Sequence, residues 1–257
     1  MLRQQKQPPS GTIILNHPGS RNALSREMVA ALSQAFSDFH REKSVRAVVL
    51  TATGSVFCSG VDLKQWRRIS KEAEPFEQWQ DVASELKELI EVMLRFPKPI
   101  ITAIDGSVYG TGMALALASD LVVASPLSRF ELSATKHGLI SGLVAPLLSF
   151  RCGSGVAARL TLGAERFDTS EAHRVGIVHH IVAPELVWAK SHDISTKIAS
   201  GAAESVQLSK RLLNEMIGES LLTHLTSGAA MMATACSTDA AIEGLAAFSE
   251  KRDPNFV

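Results

Sequence analysis

The chain has 257 residues, 46% of them hydrophobic and 20% charged, and its 26 basic side chains balance 26 acidic ones. That length can bury a full core, as one large domain or one domain with a helical appendage. The even charge and the lack of a dense Lys/Arg tract argue against nucleic acid or an anionic membrane and for small molecules or other proteins as partners.

Cys58, Cys152 and Cys236 lie far apart with no CxxC pairing, which argues against a zinc site or a disulfide framework and fits a reducing compartment. The start MLRQQKQPPSGT is polar, and no run approaches the roughly 18 apolar residues of a membrane span. The expectation is a cytoplasmic protein.

In chain order, Thr12 to Leu15 is a short β-branched run. HPGSRN then makes a turn, and Ser25 can cap a helix whose Met28, Leu32, Phe36 and Phe39 keep helical spacing. AVVLT at Ala47 to Thr51 is a buried strand, followed by the Gly/Ser loop ATGSVFCSGVDL. Trp79, Val82, Leu86, Leu89, Ile90 and Met93 mark a long amphipathic helix that the PKP at Pro97 to Pro99 ends. Ile100 to Ile104 is a second buried strand, running into YGTGMALALASD, and Leu121 to Ala124 is a third. Helices are expected over Val144 to Phe150, Ser154 to Gly163 and Thr169 to Val175, a strand over Ile177 to Val182, and helix from Pro184 to Phe248. The order gives an α/β body with a C-terminal helical region and no low-complexity linker between them.

In YGTGMALALASD two glycines form a tight turn and an apolar helix follows at once. Glycines let backbones approach closely, and unpaired N–H groups at such a junction suit an anion or a developing oxyanion. The helix itself offers no acid, base or nucleophile. The third glycine of a dinucleotide GxGxxG is absent, as are GxxxxGK[ST], GxSxG and HExxH. His179 and His180 are adjacent in a strand pattern, so they face opposite ways and do not share a metal. Cys58 has no nearby base in sequence and reads as a packed, inert thiol; Asp120 reads as structural.

Four segments together resemble the crotonase, or enoyl-CoA hydratase/isomerase, family: LNHPGSRNALS at Leu15 to Ser25, VRAVVLTATGSVFCSGVDLKQ at Val45 to Gln65, PKPIITAIDGSVYGTGMALALASDLVVA at Pro97 to Ala124, and AFSEKRDPNF at Ala247 to Phe256. The resemblance implies an α/β fold, a crotonase-like spiral of strand-strand-helix units over 1–200 with a C-terminal helical region over 201–257 for oligomerisation and closure of the CoA site. It implies an acyl-CoA thioester as substrate, with no permanently bound cofactor and coenzyme A arriving as part of the substrate, and self-association as a trimer or dimer of trimers. The helix-forming SGAAMMATACS at Ser227 to Ser237 has an apolar face that such packing would bury.

By position, the thioester carbonyl would sit between the backbone amides of Val61, after Ser59 and Gly60, and of Thr111, between Gly110 and Gly112. Such fixed donors stabilise an enolate or tetrahedral oxyanion. Arg21, Ala23, Ser59, Asp62 and Leu63 would line the CoA site, and Phe248 and Lys251 would approach its nucleotide end.

The departures matter as much. The two glutamates of the family's hydratases fall here on Ala114 and Ala134, and the aspartate of its dienoyl isomerases falls on Gly142. Without them the donors polarise a thioester but move no proton. His137 is the candidate replacement base; Glu131, expected to face solvent, and Asp62 are weaker ones. The residues thus suggest a hydro-lyase of atypical kind, a decarboxylase or a thioester hydrolase, or else a binding protein that has lost catalysis.

Overall fold

The structure, a computed structural model, describes residues 1–216 and 218–256. It begins with strands β1 (Leu2–Gln7) and β2 (Ser10–Leu15), paired antiparallel, and helix α1 (Arg26–Arg41). The Ser25 hydroxyl accepts the Met28 N–H at 3.3 Å, and Met28, Leu32, Phe36 and Phe39 are buried on one face of α1, as their spacing requires. β1 is almost wholly exposed, so it offers no apolar alternation by which sequence could reveal it.

Three strand-strand-helix turns come next. They are β3 (Ala47–Ala52), β4 (Val56–Cys58) and α2–α3 (Leu63–Ile69, Pro75–Arg95); β5 (Ile100–Ile104), β6 (Ser107–Tyr109) and α4 (Gly112–Ala118); and β7 (Leu121–Ala124), β8 (Arg129–Glu131) and α5–α6 (Val144–Cys152, Ser154–Gly163). β9 (Arg166–Asp168), α7 (Thr169–Arg174) and β10 (His180–Ile181) complete the body. The first strand of each turn joins a six-stranded sheet ordered β1-β2-β3-β5-β7-β10, and the second joins a four-stranded sheet ordered β4-β6-β8-β9. Within each sheet the strands of successive turns run parallel. This is the crotonase-type spiral that the resemblance implies.

The expected strand over Ile177 to Val182 shortens to two residues. His179 remains exposed, and its Nδ1 accepts the Val122 N–H at 3.0 Å, where a ladder would place a backbone carbonyl. Asp120 is structural, as expected: its carboxylate accepts from the Ile100 amide at 2.7 Å and pairs with the buried Lys210 ammonium at 2.7 Å.

Helices α8 (Val187–Ala199), α9 (Ala203–Arg211), α10 (Glu219–Cys236) and α11 (Asp239–Glu250) form the helical end. Ile217, inside the expected helical stretch, lies outside the described residues. Leu221, Leu225, Met232 and Leu245 of α10 and α11 belong to the same core as the spiral. Part of the apolar face expected to meet another subunit is covered within the chain: Leu225, Ala229, Met232 and Ala233 are buried and α10 packs on α3 and α5, while Met231 of the same stretch stays 60% exposed. Close contact makes this possible, since a Cβ on Gly142 would overlap the Gly228 carbonyl oxygen of α10. A Cβ on Gly244 of α11 would likewise overlap the His137 carbonyl, so the last helix is locked against the segment that carries His137.

Candidate active site

The loops that end β2, β4 and β6 are tied together by their own backbone. Arg21 and Asn22 both take positive φ, at 53° each, and the buried Asn22 side chain donates to the Thr53 and Val56 carbonyls at 3.0 and 2.8 Å. The Ser59 N–H reaches the Arg21 carbonyl and the Leu24 N–H reaches that of Gly60, at 3.1 and 2.8 Å. Gly60 itself has φ 84°, and a Cβ there would lie 2.9 Å from both the Thr111 nitrogen and the Tyr109 carbonyl oxygen. Only glycine lets the two loops come this close. The contact brings Val61 and Thr111 to one place, and among the described residues neither of their amides has a backbone or side-chain acceptor.

Val61 and Thr111 border a cavity of about 530 Å³. Arg21, Ala23, Ser59, Gly60, Val61, Asp62, Leu63, Gly110, Thr111, Ala134, His137 and Phe248 all line it, so most of the residues singled out in the sequence meet around one space. Three do not. Gly112 is packed against Cys58, where a Cβ would meet the Cys58 carbonyl at 2.7 Å. Ala114 is fully buried in α4 and takes no part in the cavity wall. Lys251 also lies outside the wall, exposed, with φ 56° at the end of α11.

Of the titratable groups, Asp62 and Glu131 are tied up by partners, and His137 is neutral as expected. The Asp62 carboxylate is engaged by the Lys64 and Gln65 amides at 3.0 and 3.2 Å, as the cap of α2. Glu131 does not face solvent. Its side chain is 6% exposed and lies in the cavity wall, held by Lys136 at 2.9 Å and Arg166 at 2.5 Å. Burial pushes its carboxyl upward, but the Arg166 and Lys136 bonds prevail and hold it below the usual range, so it is an ion at neutral pH and a poor acid. His137 packs edge-on to Phe248, with ring centroids 5.8 Å apart, and burial lowers its pKa, which keeps the imidazole neutral at pH 7.

Sequence reasoning missed Tyr109, Lys136 and Arg166, all in the wall. Strand register would have found two of them, pairing Tyr109 with Glu131 and Glu131 with Arg166 across β6, β8 and β9; Lys136 lies in the helical turn Ala134–His137 and reaches Glu131 through its side chain.

Cys58 is fully buried with its thiol pushed up to about 12 by burial, which agrees with an inert thiol; Cys236 is also pushed up to about 12. Native protein at pH 8 should therefore show at most the part-buried Cys152 reacting quickly with a disulfide reagent, and all three thiols after denaturation. Fast reaction of two or more would contradict the packing described.

Comparison with known proteins agrees in both sequence and fold. The sequence model described as Enoyl-CoA hydratase/isomerase matches residues 10–257. The human (Homo sapiens) enoyl-CoA hydratase domain-containing protein 2, mitochondrial, is 31% identical over 95% of this chain and 84% of its own. The mouse (Mus musculus) methylglutaconyl-CoA hydratase, mitochondrial, is 30% identical over 99% and 82%. The crystal structure of an enoyl-CoA hydratase from Mycobacterium avium superposes with a TM-score of 0.88 at 29% identity, covering 100% of this chain and 98% of that one.

Proposed function

The chain belongs to the enoyl-CoA hydratase/isomerase family, and from that premise we propose that it acts on an acyl-CoA thioester by holding the thioester oxygen on the Val61 and Thr111 amides. The observation that carries this reading is the pair of unbonded N–H groups brought together at the cavity by Gly60. Two fixed donors stabilise charge that develops on a carbonyl oxygen better than mobile water does, because they need no reorganisation as the reaction proceeds.

The reaction is one that draws chiefly on that stabilisation: an atypical hydro-lyase step, a decarboxylation or a thioester hydrolysis. Alanines at 114 and 134 and the ionised Glu131 support this choice over ordinary hydration. A neutral His137 in the wall is the proposed base. Arg21, Ala23, Ser59, Asp62 and Leu63 are the proposed CoA contacts, with Phe248 toward the nucleotide end. The second reading, a non-catalytic acyl-CoA-binding protein, draws on the same shortage of free acids and bases. We also propose self-association as a trimer or dimer of trimers, for which the exposed Leu127, Leu162 and Leu208, at 68%, 76% and 62%, offer apolar surface.

Calorimetry with several acyl-CoAs and the matching free acids tests the binding step, and a turnover screen with the same compounds separates enzyme from binder. The thioesters should bind more tightly than the acids. Equal or absent binding across the set would reject the proposal.

A further inference from the structure

The four-stranded sheet carries one row of side chains toward the core and another toward the cavity. Val108, Phe130 and Phe167 are buried on the first face. By alternation Tyr109, Glu131 and Arg166 stand on the second, in register on three neighbouring strands, and all three line the cavity. Glu131 binds Arg166 through Nε and Lys136 through Nζ. Among the described residues the terminal guanidinium nitrogens of Arg166 have no acceptor, and Lys136 has no acceptor other than Glu131. The two cations remain 74% and 54% exposed while their anchor is 6% exposed.

Two cations on one carboxylate leave a positive charge uncompensated. The whole wall shows the same bias, with Arg21, Lys64, Lys136 and Arg166 against Asp62 and Glu131, in a chain whose formal net charge is zero. Arg166's free edge is a planar fork suited to a carboxylate, and the Glu131 bond fixes its orientation in advance.

We propose that Arg166 and Lys136 bind a carboxylate carried by the acyl group, so that the substrates are CoA monothioesters of dicarboxylic acids. This rests on the acyl-CoA reading above. The phosphates of CoA are the other anionic source, and position argues against them. The Gly110 N–H donates to the Glu131 carbonyl at 3.0 Å, so the cation pair hangs from the strand adjoining the turn that supplies the Thr111 amide. The long pantetheine arm carries the phosphates away from a thioester held at that turn; acyl atoms stay beside it.

The test is calorimetry on the full chain with malonyl-, succinyl- and glutaryl-CoA, each against the neutral thioester of the same carbon number, and with free CoA. At least one dicarboxylic thioester should bind about tenfold or more tightly than its neutral counterpart, as expected for a charge-assisted bidentate contact. Arg166→Gln should abolish that preference and leave neutral thioesters and free CoA unchanged, and Lys136→Met should reduce it. Both side chains are largely exposed, so both variants should fold.

Equal binding of charged and neutral thioesters would overturn the proposal and leave the acyl-CoA reading standing. A loss in Arg166→Gln shared by butyryl-CoA and free CoA would assign the cation to the phosphates and also overturn it. Binding of none of these compounds would reject the acyl-CoA reading, and this proposal with it.

Discussion

Hydration of crotonyl-CoA by the native chain should run about four orders of magnitude or more below that of a family hydratase bearing both glutamates. Acid and base each contribute about a hundred- to ten-thousand-fold, and paired groups act as a unit, so the two losses do not simply multiply. The carboxylates present do not replace them: Asp62 is engaged by two backbone amides, and Glu131 is held ionised between Arg166 and Lys136. A native rate typical of hydratases would instead assign the proton transfers to His137. The structure also separates the two missing positions. Ala134 lines the cavity, so Ala134→Glu should raise the rate of enoyl absorbance loss. Ala114 is fully enclosed in α4. A carboxylate there loses its hydration and strains close packing, a cost of roughly several kcal/mol, so Ala114→Glu should lower the melting temperature and add little activity. A folded Ala134→Glu variant with no gain would show that one carboxylate in this cavity is insufficient.

Gly60→Ala should lower turnover of any active thioester by about a hundredfold or more, the usual cost of losing one oxyanion donor. The added methyl carbon would meet the Thr111 nitrogen and the Tyr109 carbonyl at 2.9 Å, and φ 84° disfavours any side chain, so the loops must part and the Val61 and Thr111 amides diverge. Gly110→Ala is the control. Its φ of 49° is also left-handed, but nothing lies within 4 Å of the added carbon, so the variant should lose about 1 kcal/mol of stability and keep most of its turnover. Equal losses in the two variants would mean that backbone strain, and not the approach of the loops, governs activity.

The long elements are legible in the sequence because each repeats its apolar residues over several turns or strand residues: Met28 to Phe39, Trp79 to Met93 and Ile100 to Ile104 all fold as their spacing requires. The site is legible mainly through the glycine-bearing motifs, since only those fix the close approach of Gly60 to Thr111. The strands that carry the cavity wall are not. β4, β6, β8 and β9 have three residues each, too few to show a period. Glu131 is hard to place for a related reason. Its neighbour Phe130 points to the core, which correctly turns Glu131 the other way, but the space on that side is the cavity and not bulk water. The small residues of α10 that suggest a subunit surface include Gly228, which lets the helix press onto Gly142 of its own chain, while Met231 beside it stays exposed.

The most direct test of the Val61–Thr111 donor pair is the infrared stretch of an isotope-labelled thioester carbonyl in a bound, unreactive acyl-CoA. Two N–H donors aimed at the oxygen weaken the C=O bond, so the stretch should fall below that of the free thioester in the native protein and in Gly110→Ala, and return toward it in Gly60→Ala. A thioester that is bound but unshifted in the native protein would contradict the donor pair.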